Sequence, residues 1–196
     1  MKYLLIAVIS YLIGNISGSF IIGNLFLNKD IRKFGSGNAG TTNAFRVLGQ
    51  KAGLVTFVID FFKGIILVLI IRKFFGYEYV PFGILFGVLG HDYPFYMSFK
   101  GGKGMAMTLG SLAIFSFKFT IIPYIIWLII ALTFRYISLA SIMFFISSII
   151  SYGAFGDFSL ENKILIAIVC LLGIIRHKSN IKRLLNGNEN RIGGKK

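Results

Sequence analysis

Acidic residues are scarce in this chain: seven Asp and Glu against 21 Lys and Arg over 196 residues. The seven are scattered, which argues against a carboxylate cluster that would hold Mg²⁺ for metal-dependent lipid-phosphate chemistry. The single cysteine, Cys170, lies inside an apolar run and supports neither a disulfide nor a thiolate metal site. Charged residues make up only 14% of the chain, against about 25% in soluble domains. The apolar runs lack the period-2 alternation of a barrel strand, so helices are the expected spanning element. No internal repeat suggests an inverted-repeat transporter.

What remains is hydrophobic: 56% of residues, with a mean hydropathy of +0.78. Apolar runs lie at about 3–27, 52–71, 80–97, 105–117, 119–134, 136–155 and 163–175. A bilayer core about 30 Å thick needs roughly 20 apolar residues per helix. The length therefore holds six or seven spans and no separate soluble domain, giving one membrane-embedded domain over 1–196. A net charge of +14 first suggests nucleic acid, but the hydropathy redirects it to anionic lipid and phosphate. The apolar N-terminus continues through Gly18, Phe20 and Ile22 to Leu27 without an A-x-A cleavage site, and is read as a retained first helix.

Placing 28–51, 98–104, residue 135 and the tail from 176 on the cytosolic side gives that side fifteen Lys and Arg. Five lie opposite (Lys2, Arg72, Lys73, Lys118 and Lys163), and Lys63 falls within a span. The positive-inside rule then sets the N-terminus outside and the C-terminus in the cytosol. Merging 105–134 into one broken helix around Lys118 and Pro123 would give six spans and move Arg135 and the tail outside, against that rule. The expectation is an all-α integral membrane protein with seven transmembrane helices, the segment 105–117 being short, tilted or partly re-entrant. In the first helix, Gly14-x-x-x-Gly18 with Asn15, Ser19 and Asn24 reads as a close helix contact.

Four polar clusters face the cytosolic side. The first is Gly35-Ser36-Gly37-Asn38-Ala39-Gly40-Thr41-Thr42-Asn43 with Arg46. Its G-x-G-x-x-G match lacks the βαβ context of a dinucleotide site. It can still act as an anion loop, with converging backbone N–H groups, hydroxyl and amide donors, and the Arg46 fork. An ordinary flexible polar loop is the alternative. The second, Asp60 and Lys63, is one helical turn apart inside a span; such residues are functional or mutually paired, so a structural i,i+3 ion pair holding the neighbouring loop stands beside direct catalysis as its reading.

The third runs His91-Asp92-Tyr93-Pro94 and then Phe99-Lys100-Gly101-Gly102-Lys103-Gly104. It is not a Walker A loop, since Lys103 precedes Gly104 rather than Ser or Thr. Glycines around Lys103 suit an approaching phosphate, whereas Lys100 also fits a positive-inside turn and His91 a hydrogen-bonded helix end. The fourth is Arg176-His177-x-x-Asn180-Ile181-x-Arg183-Leu184, followed by Gly187 and Glu189. His177 and Asn180 share a helix face at i,i+3. Lys195 and Lys196 read as an interfacial tail touching anionic lipid.

Together GSGNAGTTNAFRVLG, DFFKG, GHDYPFYMSFKGGKGMA and RHKSNIKRLLNGNE resemble the bacterial acyl-phosphate:glycerol-3-phosphate acyltransferases (the PlsY type), in order and over nearly the whole chain. The combination of GSGNxGxTNxxR with FKGGKG carries the resemblance; Thr41 departs from it where alanine is commoner. It implies acyl transfer from acyl phosphate to the 1-hydroxyl of sn-glycerol 3-phosphate, without cofactor or metal, at the bacterial cytoplasmic membrane. The products would be lysophosphatidate and inorganic phosphate, in the first step of phospholipid synthesis.

On that reading Ser36, Gly37, Asn38, Gly40, Thr41, Thr42 and Asn43, with His91, Lys100, Gly101, Gly102 and Gly104, line the substrates. Lys103 binds phosphate, and Arg46, His177 and Asn180 grip glycerol 3-phosphate, with exchange between the two phosphates open. His177 is the candidate general base, because only histidines titrate near neutrality. The rival is a positioning enzyme in which the acyl phosphate oxygens take the proton. No Ser-His-Asp order or covalent nucleophile stands out. A transporter of phosphate or an organophosphate is the alternative from another class; it would place cationic groups near the midplane on several broken helices.

Overall fold

The computed structural model describes residues 1–192, all helix and connecting loop with no strand among them. Lys195 and Lys196 lie outside the described residues. Among the described residues four helical stretches are long and apolar enough to cross a membrane: Lys2–Phe26, Gln50–Phe74, Phe117–Phe134 and Ile137–Phe155. A fifth is reached by counting the bent pair Leu160–Arg176 and Lys178–Leu185 as one span, and Met105–Phe115 is apolar but shorter. The chain forms two compact units, Met1–Phe115 and Ser116 onward.

In the first unit α1 (Lys2–Asn15) stops at Ile16, whose ψ of 107° leaves the helical region. The Ser17 hydroxyl accepts the Phe20 N–H and restarts the chain as α2 (Gly18–Phe20), which runs into a π-helical stretch, Ile21–Phe26. α3 (Thr41–Val47), α4 (Gln50–Phe74), α5 (Val80–Asp92) and α6 (Met105–Phe115) follow. α1 packs on α5 and α4 on α6. Both crossings are backbone-close: a Cβ on Gly14 would sit 1.9 Å from the Gly87 oxygen, and one on Gly110 2.0 Å from the Phe61 oxygen. Small residues permit that approach, as the Gly14-x-x-x-Gly18 pattern predicts.

This unit has two polar ends. At one, the Lys2 ammonium lies 3.8 Å from the Tyr79 ring centroid, and the Tyr77 hydroxyl donates to the Phe115 oxygen at 2.9 Å. At the other, Ile31, Ala39, Ala44 and Met97 form a small core flanked by Phe20, Val47 and Leu48. Arg32 Nη1 donates to the Met97 oxygen at 2.7 Å, so the loop after the first helix and the loop after α5 share an end.

The second unit holds α7 (Phe117–Phe134), α8 (Ile137–Phe155), α9 (Leu160–Arg176) and α10 (Lys178–Leu185). α8 packs on both α7 and α9. Arg135, in the left-handed region at φ 61°, turns the chain between α7 and α8. The tail closes on this turn: Ile192 N–H donates to the Arg135 oxygen and Arg135 Nη2 to the Ile192 oxygen, both at 2.7 Å. Arg191 Nε donates to the Tyr136 hydroxyl at 3.0 Å. Arg135 and Tyr136 therefore meet Arg191 and Ile192 at one end of this unit. At the opposite end the Tyr152 hydroxyl lies 2.7 Å from Thr120 Oγ1 and donates to the Ser116 oxygen at 3.0 Å. α10 leaves the line of α9 at 54°.

Candidate active site

In the first unit the glycine-rich loop is built around Asn43. Its Oδ1 accepts the Ser36 N–H at 3.0 Å, and its Nδ2 donates to the oxygens of Ile31 at 3.2 Å and Phe34 at 3.1 Å. Only glycine suits position 35, where φ is +61° and a Cβ would lie 2.3 Å from Asn43 Oδ1. The Asn43 amide is thus occupied inside the loop, which presents Ser36, Gly37 and Thr42 outward. Thr41 Oγ1 is buried and makes no hydrogen bond among the described residues. Arg46, half-buried in the last turn of α3, makes no hydrogen bond or ion pair there either. Its guanidinium keeps its full donor set for an anion.

Asp60 and Lys63 form the expected i,i+3 ion pair at 3.1 Å, both nearly fully buried. Lys63 Nζ also donates to the Gly14 oxygen at 2.9 Å, to the Ile16 oxygen, and lies 2.8 Å from His91 Nδ1. Asp60 Oδ1 accepts the Gly18 N–H at 3.2 Å. The pair satisfies backbone groups that the break between α1 and α2 exposes, where an unpaired polar group in an apolar surround is costly.

The loop after α5 folds back onto that helix. Gly101 N–H donates to the Asp92 oxygen at 3.1 Å and Gly102 N–H to the His91 oxygen at 3.0 Å. A Cβ on Gly101 would lie 2.2 Å from the His91 oxygen, and one on Gly102 2.0 Å from His91 Nε2. These two glycines are buried and required by packing, which composition alone could not separate from phosphate access. Lys100 is exposed, Lys103 half-buried, and Gly104 takes a φ of +69°.

Asp30 and Arg32 were not singled out by sequence. Arg32 Nε and Nη2 donate to the two Asp30 oxygens at 3.0 and 2.9 Å, while its Nη1 reaches Met97. The Arg32 hydrogen bonds hold the Asp30 carboxyl below its ordinary value. The D-x-R spacing was the available signal, but a surface pair is unremarkable until the third bond of the arginine is seen.

In the second unit His177 is buried at the α9–α10 junction, 2.7 Å from the Gly173 oxygen through Nδ1. A carbonyl can only accept, so Nδ1 carries a proton and Nε2 is the acceptor of the neutral ring. Asn180, also buried, donates from Nδ2 to Glu189 Oε1 at 3.1 Å, and Arg183 Nε donates to Glu189 Oε2 at 2.8 Å. Glu189 lies within the recognised motif, yet its bracing of Asn180 and Arg183 depends on a turn that brings it back onto α10. Among the described residues no three His, Cys, Asp or Glu side chains group as a metal site.

Each unit taken by itself therefore presents cationic and hydrogen-bonding groups of the kind that suit phosphate. A family model described as glycerol-3-phosphate acyltransferase matches residues 4–187. The glycerol-3-phosphate acyltransferase of Finegoldia magna is 42% identical over 98% of this chain and 99% of its own. That of Macrococcus caseolyticus is 42% identical over the full length of both. The crystal structure of PlsY, an integral membrane glycerol 3-phosphate acyltransferase, in its glycerol 3-phosphate form superposes with a TM-score of 0.91. It is 39% identical and covers 98% of this chain and 96% of that one. The lysophosphatidic acid form gives a TM-score of 0.86 at 38% identity. With a family model over residues 4–187 and relatives 42% identical over nearly all of the chain, the chain belongs to the glycerol-3-phosphate acyltransferase family.

Proposed function

We propose that this acyltransferase moves a fatty acyl group from acyl phosphate to the 1-hydroxyl of sn-glycerol 3-phosphate, as the first step of phospholipid synthesis. The observation that carries the reading is the full-length likeness to a structure solved in both glycerol 3-phosphate and lysophosphatidic acid forms, an acceptor and its acylated product. The acyl-phosphate donor rests on the motif resemblance. The hydroxyl oxygen attacks the acyl carbon, the bond from that carbon to the phosphate oxygen breaks, and inorganic phosphate leaves. The hydroxyl proton goes to His177 Nε2 or to a phosphate oxygen.

Arg46, His177 and Asn180 are assigned to glycerol 3-phosphate; Lys103, with Ser36, Gly37, Asn38, Gly40, Thr41 and Thr42, to phosphate binding. Within the first unit Asn43 holds the glycine-rich loop and the Asp60–Lys63 pair holds the break between α1 and α2. Placement as a single multi-pass domain in the bacterial cytoplasmic membrane, with seven spans and a cytosolic C-terminus, is part of the same proposal. The shared ends found within each unit support it.

Purified protein supplied with labelled glycerol 3-phosphate tests the donor. Product is expected from acyl phosphate and not from acyl-CoA or acyl carrier protein. A folded preparation giving no product from acyl phosphate overturns the reading.

A further inference from the structure

The ammonium of Lys63 has donors only. Its 2.8 Å contact with His91 Nδ1 therefore makes that nitrogen an acceptor and places the ring proton on Nε2. The Nε2 edge faces Gly102, where a Cβ would lie 2.0 Å away. The main chain beside it is tied to the same corner, Gly101 N–H to the Asp92 oxygen and Gly102 N–H to the His91 oxygen. Two backbone bonds and one ring edge thus fix the chain immediately before Lys103. Residue 91 is fixed in turn by Lys63, which is held by Asp60 and by the Gly14 and Ile16 oxygens at the break in the first helix.

We propose that His91 is a positioning residue: its ring carries the rigidity of the buried Asp60–Lys63 pair into the glycine pair and so aims Lys103 at its phosphate. Its burial, at 4% exposure, and its engagement with Lys63 on one edge and Gly102 on the other fit that task and not contact with a reacting atom. The inference rests on the phosphate role of Lys103 given under Proposed function. A misplacement of about 1 Å can cost on the order of 10²-fold in rate, so a residue that only sets backbone position has a kinetic signature.

The test compares His91→Asn, Lys103→Gln and the double variant with the wild type. Asparagine keeps an oxygen for Lys63 but leaves Gly102 uncovered. His91→Asn is expected to raise KM about tenfold or more for whichever phosphorylated substrate shows a raised KM in Lys103→Gln. The double variant should be no worse than Lys103→Gln alone, because residues acting as one unit are not additive. Hydrogen exchange at residues 99–104 should quicken in His91→Asn and stay unchanged in Lys103→Gln. Multiplicative losses, unchanged exchange, or a fall in kcat with both KM values intact would overturn the proposal. A wild type inactive on acyl phosphate would sink the functional reading instead, and the exchange measurement still decides the role of His91.

Discussion

His177 Nδ1 lies 2.7 Å from the carbonyl oxygen of Gly173, one turn back on α9. The bond fixes both the ring orientation and the tautomer. The neutral imidazole then has its lone pair on Nε2, the form a general base needs. Phe145, with its ring centroid 6.0 Å from that of His177, flanks the imidazole on α8.

His177→Ala and His177→Gln separate two ways of moving the proton. As a general base, His177 predicts a loss of about 10²–10⁴-fold in kcat for both variants. An amide can hydrogen-bond but cannot take the proton at neutral pH. Substantial turnover by the glutamine variant in steady-state assays would transfer that role to the departing phosphate.

Gly102→Ala should be somewhat more destabilising than Gly37→Ala. At Gly102 the new methyl meets the His91 ring at 2.0 Å, whereas at Gly37 the nearest atom is 3.4 Å away and only the φ of +71° opposes it. Overpacking costs about 1–3 kcal/mol, and the left-handed backbone alone about 1–2 kcal/mol. Comparing apparent unfolding temperature and kcat/KM in one detergent checks the order. Equal effects would mean that the loop swings clear of the ring without consequence.

Lys63→Met leaves Asp60 buried, with its cation removed and the Gly14 and Ile16 oxygens without their donor. Breaking a buried pair from one side costs about 3–5 kcal/mol. Adding Asp60→Asn should recover part of that, since a neutral amide is cheaper to bury than an unpaired carboxylate. Thermal unfolding of the two variants reads the difference, and a double variant less stable than Lys63→Met would refute the pairing argument.

The legible and illegible parts divide by range. The apolar runs announced the helices because lipid forces backbone bonds to close locally, and α4 and α8 lie close to where hydropathy put them. α5 ends at Asp92 rather than continuing to 97, because Pro94 opens a turn in which Ser98 and Phe99 both take positive φ. Asp60–Lys63 was readable as an i,i+3 pair. Its grip on the Gly14 and Ile16 oxygens was not, since these lie more than 40 residues away and a glycine or isoleucine carbonyl leaves no compositional trace. The same holds for Gly101 and Gly102. A glycine beside a lysine looks alike whether it admits a phosphate or a histidine ring.

The Asp30–Arg32 anchor has a pH window whose sign follows from its chemistry. Three donors from Arg32, two of them on the side chain, depress the Asp30 carboxyl below its ordinary value of 3.8. A depressed carboxylate binds fewer protons folded than unfolded near that value, so its stabilisation is full above it and is lost as pH falls through the folded value. Asp30→Asn should therefore lower the apparent unfolding temperature by a constant amount across neutral pH. The gap to wild type should close on acidification below the ordinary carboxylate range. Arg32 keeps its bond to the Met97 oxygen in either state, so the loop loosens without detaching. A gap that stays constant into acid, or one that opens there, would show that Asp30 acts through something other than its charge.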